Sequence, residues 1–199
     1  MGKHGANVTF DRGPSGGGDR FAAPSEMIRA DTADQVDAAF EAMQRAQSDG
    51  KWLAGYVSYE FGYLTSPKLE RLLPTDRVLP LIHFGVFDAP QPATPTAVSA
   101  LIDLDPLQPQ WTSDRYSQAF STVHDYIGAG DIYQVNLTFP IATRSDASPD
   151  ALYAKLRERQ GVPHGALVNF GETALLSRSP ELFFSLTSKG ALTTRPMKG

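Results

Sequence analysis

Ala166-Leu167-Val168-Asn169-Phe170-Gly171-Glu172-Thr173-Ala174-Leu175-Leu176-Ser177-Arg178 is the stretch on which the fold turns. Its two apolar runs, 166–170 and 174–178, flank Gly171-Glu172, and a glycine in such a gap supplies the backbone freedom of a tight reversal. The segment therefore predicts a β-hairpin. A second hairpin follows, because 182–186 and 191–194 flank Ser188-Lys189-Gly190. Upstream, Tyr133, Val135, Leu137, Phe139 and Ile141 alternate with Gln134, Asn136 and Thr138. That period of two predicts a strand over 133–141 with Gln134 and Asn136 on its polar face.

This strand lies between two predicted helices. Ser113 reads as the N-cap of the first, with Tyr116, Phe120, Val123 and Ile127 on one apolar face and Gly128 and Gly130 at its end. Ser148-Pro149 opens the second, which carries Leu152 and Leu156 and is ended by Gly161 and Pro163. In the first half, Thr32 and Gln35 form a capping-box pair ahead of Val36, Phe40 and Met43, spaced as one helical face, and Gly50 follows the helix end. Residues 52–61 and 81–87 read as strands. Residues 89–110 hold five prolines, at 90, 92, 95, 106 and 109, which mark a connection and not a central strand. The run 13–19 is glycine-rich but lacks the Gly-Lys-Ser/Thr ending of a phosphate loop, so it reads as a plain loop. Helices alternating with strands and then consecutive hairpins give an α+β fold of mostly antiparallel sheets with packed helices, not a doubly wound nucleotide fold.

Composition narrows the function. The 199 residues carry 18 Lys+Arg against 22 Asp+Glu, a formal charge of −4, and no basic cluster, which argues against a nucleic-acid partner. No apolar run approaches the roughly 18 residues of a membrane span. Met1-Gly2-Lys3-His4-Gly5-Ala6 has no hydrophobic signal core, so the expectation is a cytoplasmic protein with no membrane partner. The absence of cysteine removes disulfides, thiolate nucleophiles and Cys-ligated metals. His4, His83, His124 and His164 are scattered without HExxH spacing, so no metal ligands are assigned. His83 and His124 read as structural or surface residues. No Gly-x-Ser-x-Gly elbow supports a hydrolase.

Two groups of residues can carry chemistry. The amides of Gln134 and Asn136 can order a neighbouring loop or hydrogen-bond a polar ligand. Lys198, between Pro196 and Gly199 on a turn after a strand, becomes a nucleophile if burial lowers a lysine amine from about 10.4 toward neutrality. Glu181, at the start of the paired strand, can shuttle a proton. By themselves Lys198 and Glu181 read equally well as solvated surface residues.

Three segments in order, Gly130-Asp131-Ile132-Tyr133-Gln134-Val135-Asn136-Leu137-Thr138, Ser179-Pro180-Glu181-Leu182-Phe183 and Thr194-Arg195-Pro196-Met197-Lys198-Gly199, resemble the chorismate-utilising enzymes. That family includes the component I chains of anthranilate synthase and aminodeoxychorismate synthase. Residues 21–63, with Gly55-Tyr56-Val57-Ser58-Tyr59-Glu60, are a weaker but compatible match. The aminodeoxychorismate enzymes carry lysine in the Pro-x-Lys-Gly motif where anthranilate synthases carry alanine, so Lys198 points to the former; Met197 stands where isoleucine is usual. The resemblance implies a catalytic pair: Lys198 attacking C2 of chorismate, and Glu181 as acid–base partner. It also implies that Thr194, Gly199, Gln134 and Asn136 contact substrate, and that ammonia comes from a glutamine amidotransferase subunit or domain. Mg²⁺ is expected as cofactor, with ligands beyond the lysine motif. Residues 1–199 are then expected to be the N-terminal part of a single chorismate-utilising domain, truncated, with its C-terminal half absent and the chain alone inactive. The alternatives are anthranilate or isochorismate synthase-type chemistry, or a noncatalytic interaction module. The tryptophan site of some relatives is not carried over, since 7–24 is short and Pro163-His164 matches only part of that pocket.

Overall fold

A computed structural model of the chain describes residues 5–94 and 102–196. In chain order its elements are β1 (Asn7–Phe10), β2 (Asp19–Ala22), β3 (Glu26–Ala30), a 3-10 turn (Ala33–Gln35), α1 (Val36–Ser48), β4 (Trp52–Val57), a longer 3-10 segment (Tyr59–Thr65) and α2 (Pro67–Glu70). There follow β5 (Ile82–Phe87), β6 (Gln91–Pro92), β7 (Gln108–Pro109), α3 (Ser113–Ala129), β8 (Ile141–Ala142), α4 (Pro149–Arg159), β9 (His164–Asn169), β10 (Ala174–Ser179), β11 (Leu182–Leu186) and β12 (Leu192–Arg195). The contacts divide into two compact units, Met1–Val98 with Pro149–Gly199, and Ser99–Ser148. The division falls inside the proline-rich stretch 89–110. Every strand pairing is antiparallel, as the α+β reading expects.

The first unit is built in layers around a sheet ordered β3-β5-β4. Successive strand residues point to opposite faces, and here both faces are apolar. On one side Ile28, Ala30, Ile82 and Val86 pack with Ala39 and Ala46 of α1. On the other, Ala54 and Phe87 pack with Val8, Phe21 and Val168 of a second sheet, ordered β10-β9-β1-β2-β6. Phe21 centres that layer, with the rings of Phe87, Phe10 and Trp52 at 5.5, 6.0 and 6.2 Å. The outer face of the second sheet is covered by α4, whose Tyr153 and Ala154 are buried. Those two, and not Leu152 and Leu156, are the inward positions of that helix. The predicted capping box forms at the 3-10 turn that leads into α1: the Gln35 side chain accepts the N–H groups of Asp31 and Thr32 at 2.7 and 3.3 Å.

Both predicted hairpins are present. β9 and β10 pair from Asn169↔Ala174 to His164↔Ser179, and Gly171 turns between them at φ 96°. β11 and β12 pair around Gly190 at φ 81°, with a register shift between Leu182 and Ser185. The predicted strand 52–61 ends early, at Val57, where the chain tightens into the 3-10 segment. Strands β1, β2 and β3 carry no clear period in sequence; the run 13–19 is the reversal between β1 and β2, with Ser15 N–H donating to Asp19 Oδ2 at 2.8 Å.

The Ser99–Ser148 unit holds the main correction. Helix α3 forms, capped by Thr112, whose hydroxyl accepts the Arg115 N–H at 3.2 Å, so the cap is one residue earlier than Ser113. Gly130 ends it in the left-handed region at φ 82°. The predicted strand over 133–141 does not form; only Ile141–Ala142 pairs, with Gln108–Pro109. Alternation marks two faces, but a strand exists only where a ladder partner takes its N–H and C=O groups. Among the described residues no strand pairs with 133–139, while the Pro140 carbonyl accepts the Gln110 N–H at 2.9 Å beside the short β7–β8 pairing. Pro140 also lacks a donor. Gln134 and Asn136 are thus exposed on irregular chain, not on a sheet face. What organises this unit is aromatic: Phe139 lies 5.6 Å from Trp111 and 5.9 Å from Tyr116, with the Arg115 guanidinium 4.6 Å over Trp111.

Two measurements test this packing. A Cβ at Gly55 on β4 would collide with the His83 carbonyl and lie 2.6 Å from Phe84 Cα. Gly55→Ala should therefore destabilise the chain by about 1–3 kcal/mol, read as a lower urea midpoint. His83 on β5 stacks 4.5 Å from Phe170 and is faced by Tyr56, Arg29, Asp31 and Glu172. Burial, aided by the Arg29 charge and opposed by Asp31 and Glu172, holds it below the ordinary 6.5. The unfolded chain then binds the proton more readily, so stability is full above about pH 6.5 and falls as pH drops toward the folded-state value. His83→Phe should flatten that slope in melts between pH 7 and 5.

Candidate active site

The site begins where β10 is anchored. Arg178, one residue from the end of that strand, has a side chain only 11% exposed. Its Nη1 donates to Asp11 Oδ2 and, at 3.3 Å, to the Tyr153 hydroxyl, while Nη2 donates to the Gln160 carbonyl. Arg157 Nε approaches the other Asp11 oxygen at 3.1 Å. Burial beside this pair pushes the Tyr153 phenol up to about 12, so it stays protonated at any physiological pH. The cluster fits because position 165 is glycine: a Cβ there would reach into Asp11, Arg178 and the Tyr153 hydroxyl. One basic side chain so ties β10 to the end of β1 and to α4.

The chain then passes through Ser179-Pro180-Glu181 before β11. Ser179 still belongs to the ladder, opposite His164. Its hydroxyl accepts the Glu181 N–H and donates to the Glu181 carbonyl, each at 3.1 Å, and Pro180 fixes its own φ between them. Glu181 is delivered to the mouth of an open pocket of about 440 Å³ lined by Ser179, Glu181, Leu182, Phe183, Thr194 and Pro196. The pocket offers a carboxylate, the Thr194 hydroxyl and apolar walls. Such a set suits a small amphiphilic ligand that needs a proton moved.

Of the residues expected from sequence, Glu181 and Thr194 are brought together here, from just before β11 and from β12. Gln134 and Asn136 are carried by the other unit. Lys198 and Gly199 lie outside the described residues. Ser179, Phe183 and Arg178 were not singled out, although the serine two residues before a glutamate across a proline is a readable signal for a side chain that caps the glutamate's own backbone. Among the described residues no three His, Asp or Glu side chains converge as metal ligands. Among them also no helix is long and apolar enough to cross a membrane.

Comparison with known proteins bears on the same part of the chain. The family described as chorismate binding enzyme matches residues 90–199. An aminodeoxychorismate synthase of Streptomyces griseus is 31% identical over 110 residues, 55% of this chain and 14% of that protein. Aminodeoxychorismate synthase component 1 of Bacillus subtilis is 35% identical over 89 residues, 45% of this chain and 19% of the relative. Anthranilate synthase component 1 of Thermus thermophilus is 37% identical over 93 residues, 46% and 20% respectively. The chain thus matches a fifth or less of the length of these relatives.

The clasp predicts a stability effect. Asp11→Asn removes the charge that both Arg178 and Arg157 face, and breaking a buried pair costs about 3–5 kcal/mol. Chemical denaturation of the variant should show a loss of that size, with Arg157→Gln, on the more exposed arm, losing much less.

Proposed function

Because the chain belongs to the family of chorismate binding enzymes, we propose that it carries part of the site at which an aminodeoxychorismate synthase converts chorismate to 4-amino-4-deoxychorismate. The observation that carries this reading is the pocket shared by Glu181 and Thr194, on the hairpin that leads into Pro196 and the Met197-Lys198-Gly199 sequence. The proposed step is nucleophilic. The neutral Lys198 amine attacks C2 of chorismate, the two ring double bonds shift, and the C4 hydroxyl departs as water with a proton supplied by Glu181. Ammonia then adds at C4, the double bonds shift back, and the lysine amine is released from C2. A primary amine suits this role because it is a nucleophile when neutral and a leaving group when reprotonated. Thr194 would hydrogen-bond the substrate.

The rest of the proposal concerns the longer protein. Residues 1–199 are the N-terminal part of one chorismate-utilising domain, a reading supported by the small share of each relative that the chain matches. The ammonia comes from a glutamine amidotransferase partner, in keeping with the "component 1" in the names of several relatives. Mg²⁺ is part of the proposal with ligands outside the described residues, and no step above passes through it.

A second reading is favoured by one observation, the anthranilate synthase component 1 that is 37% identical over its match. The complete gene product, given chorismate, Mg²⁺ and an ammonium salt, separates the two by product mass. Aminodeoxychorismate is the expected product; anthranilate would overturn the weight on Lys198. Lys198→Ala should abolish product formation with the fold intact, and Glu181→Gln should lower kcat by about 10²–10⁴-fold. Unchanged turnover in Lys198→Ala removes the covalent step.

A further inference from the structure

We propose that Ser179 is a positioning residue for Glu181, a role that rests on the acid–base part given to Glu181 above. An acid–base group works only when held within hydrogen-bond reach of the proton it moves. A glutamate beside an open pocket ordinarily has the freedom of its loop. Here the loop freedom is removed from both ends. Ser179 is the last paired residue of β10 and stands next to the Arg178 clasp. Leu182 opens β11 and pairs with Arg195. Only Pro180 and Glu181 lie between.

The Ser179 hydroxyl closes the remaining gap. It takes both main-chain polar groups of Glu181, donating to the carbonyl and accepting from the N–H, each at 3.1 Å. That pair of bonds fixes the backbone on both sides of the Glu181 Cα, and so the direction in which its side chain leaves the chain. Ser179 also lines the pocket. Its hydroxyl is therefore occupied in holding Glu181 and is not counted among the groups that bind substrate. Alanine has the same backbone preference at a strand end but no hydroxyl, whereas threonine keeps the hydroxyl and suits a strand.

The test uses the complete gene product with chorismate and ammonium salt. Ser179→Ala should lower kcat about tenfold with KM within twofold of wild type and an unchanged melting temperature. Ser179→Thr should restore kcat to within twofold. A group that merely stabilised the hairpin would shift the melting temperature and would not split kcat from KM. Wild-type kcat in Ser179→Ala, in an enzyme that Glu181→Gln inactivates, overturns the role of Ser179 alone. A loss in Ser179→Ala that Ser179→Thr does not repair overturns it as well. Wild-type turnover in Glu181→Gln overturns the acid–base reading of Glu181 and the positioning role together.

Discussion

Withdrawing a guanidinium from water costs free energy unless its charge finds a partner, and the two terminal nitrogens of Arg178 find partners on three segments at once. Its partners are Asp11 just past β1, the Tyr153 hydroxyl on α4 and the Gln160 carbonyl beyond that helix. Asp11 is far in sequence from the other two and from Arg178 itself, so the contact fixes long-range geometry that no local turn can set. The residues that follow Arg178 are the ones that enter the pocket. The location of Glu181 is thus inherited from a charge pair on the far side of the strand, and the chemistry proposed for it depends on a contact that never touches the ligand.

Behind that contact stands a sheet buried on both faces. The β3-β5-β4 sheet is sandwiched between α1 and the larger sheet, which explains its small residues: Ala30 and Ala54 are buried, and Gly55 lies against the backbone of β5. At its edge the packing turns polar, where His83 meets Phe170 and Arg29 reaches Glu172 at 3.6 Å. The β9–β10 hairpin is held from both ends, by Arg178 at its base and by His83 near its turn.

What could be read from sequence was what local physics decides. The Gly171 and Gly190 reversals were legible because a positive φ in a tight turn selects glycine, and the start of α1 because Gln35 reaches back over one turn. The strand over 133–141 was misread because its alternation is genuine while its partner is not a local property. Strands β1 to β3 escaped for the converse reason, being short segments made into strands only by distant neighbours. At the site, Glu181 and Thr194 were named through a motif, and both line one pocket. Ser179 and Arg178 were overlooked, since a hydroxyl turned on its neighbour's backbone and an ion pair between residues 11 and 178 leave no periodic trace.

The placement of β1 has a consequence for how the molecule is made. It is an interior strand, paired on one side with β2 and on the other with β9, so that Val8 meets Val168. A ribosome adding about 5–20 residues per second needs on the order of ten seconds to reach β9 after releasing β1. Through that interval β1 keeps one edge unpaired, the kind of edge that invites pairing with other chains, although Val8 and Phe21 can already pack on Ala54 and Phe87. The larger sheet therefore closes late in synthesis, from its N-terminal strand waiting for a partner, and holding chaperones would act on the nascent chain in that window.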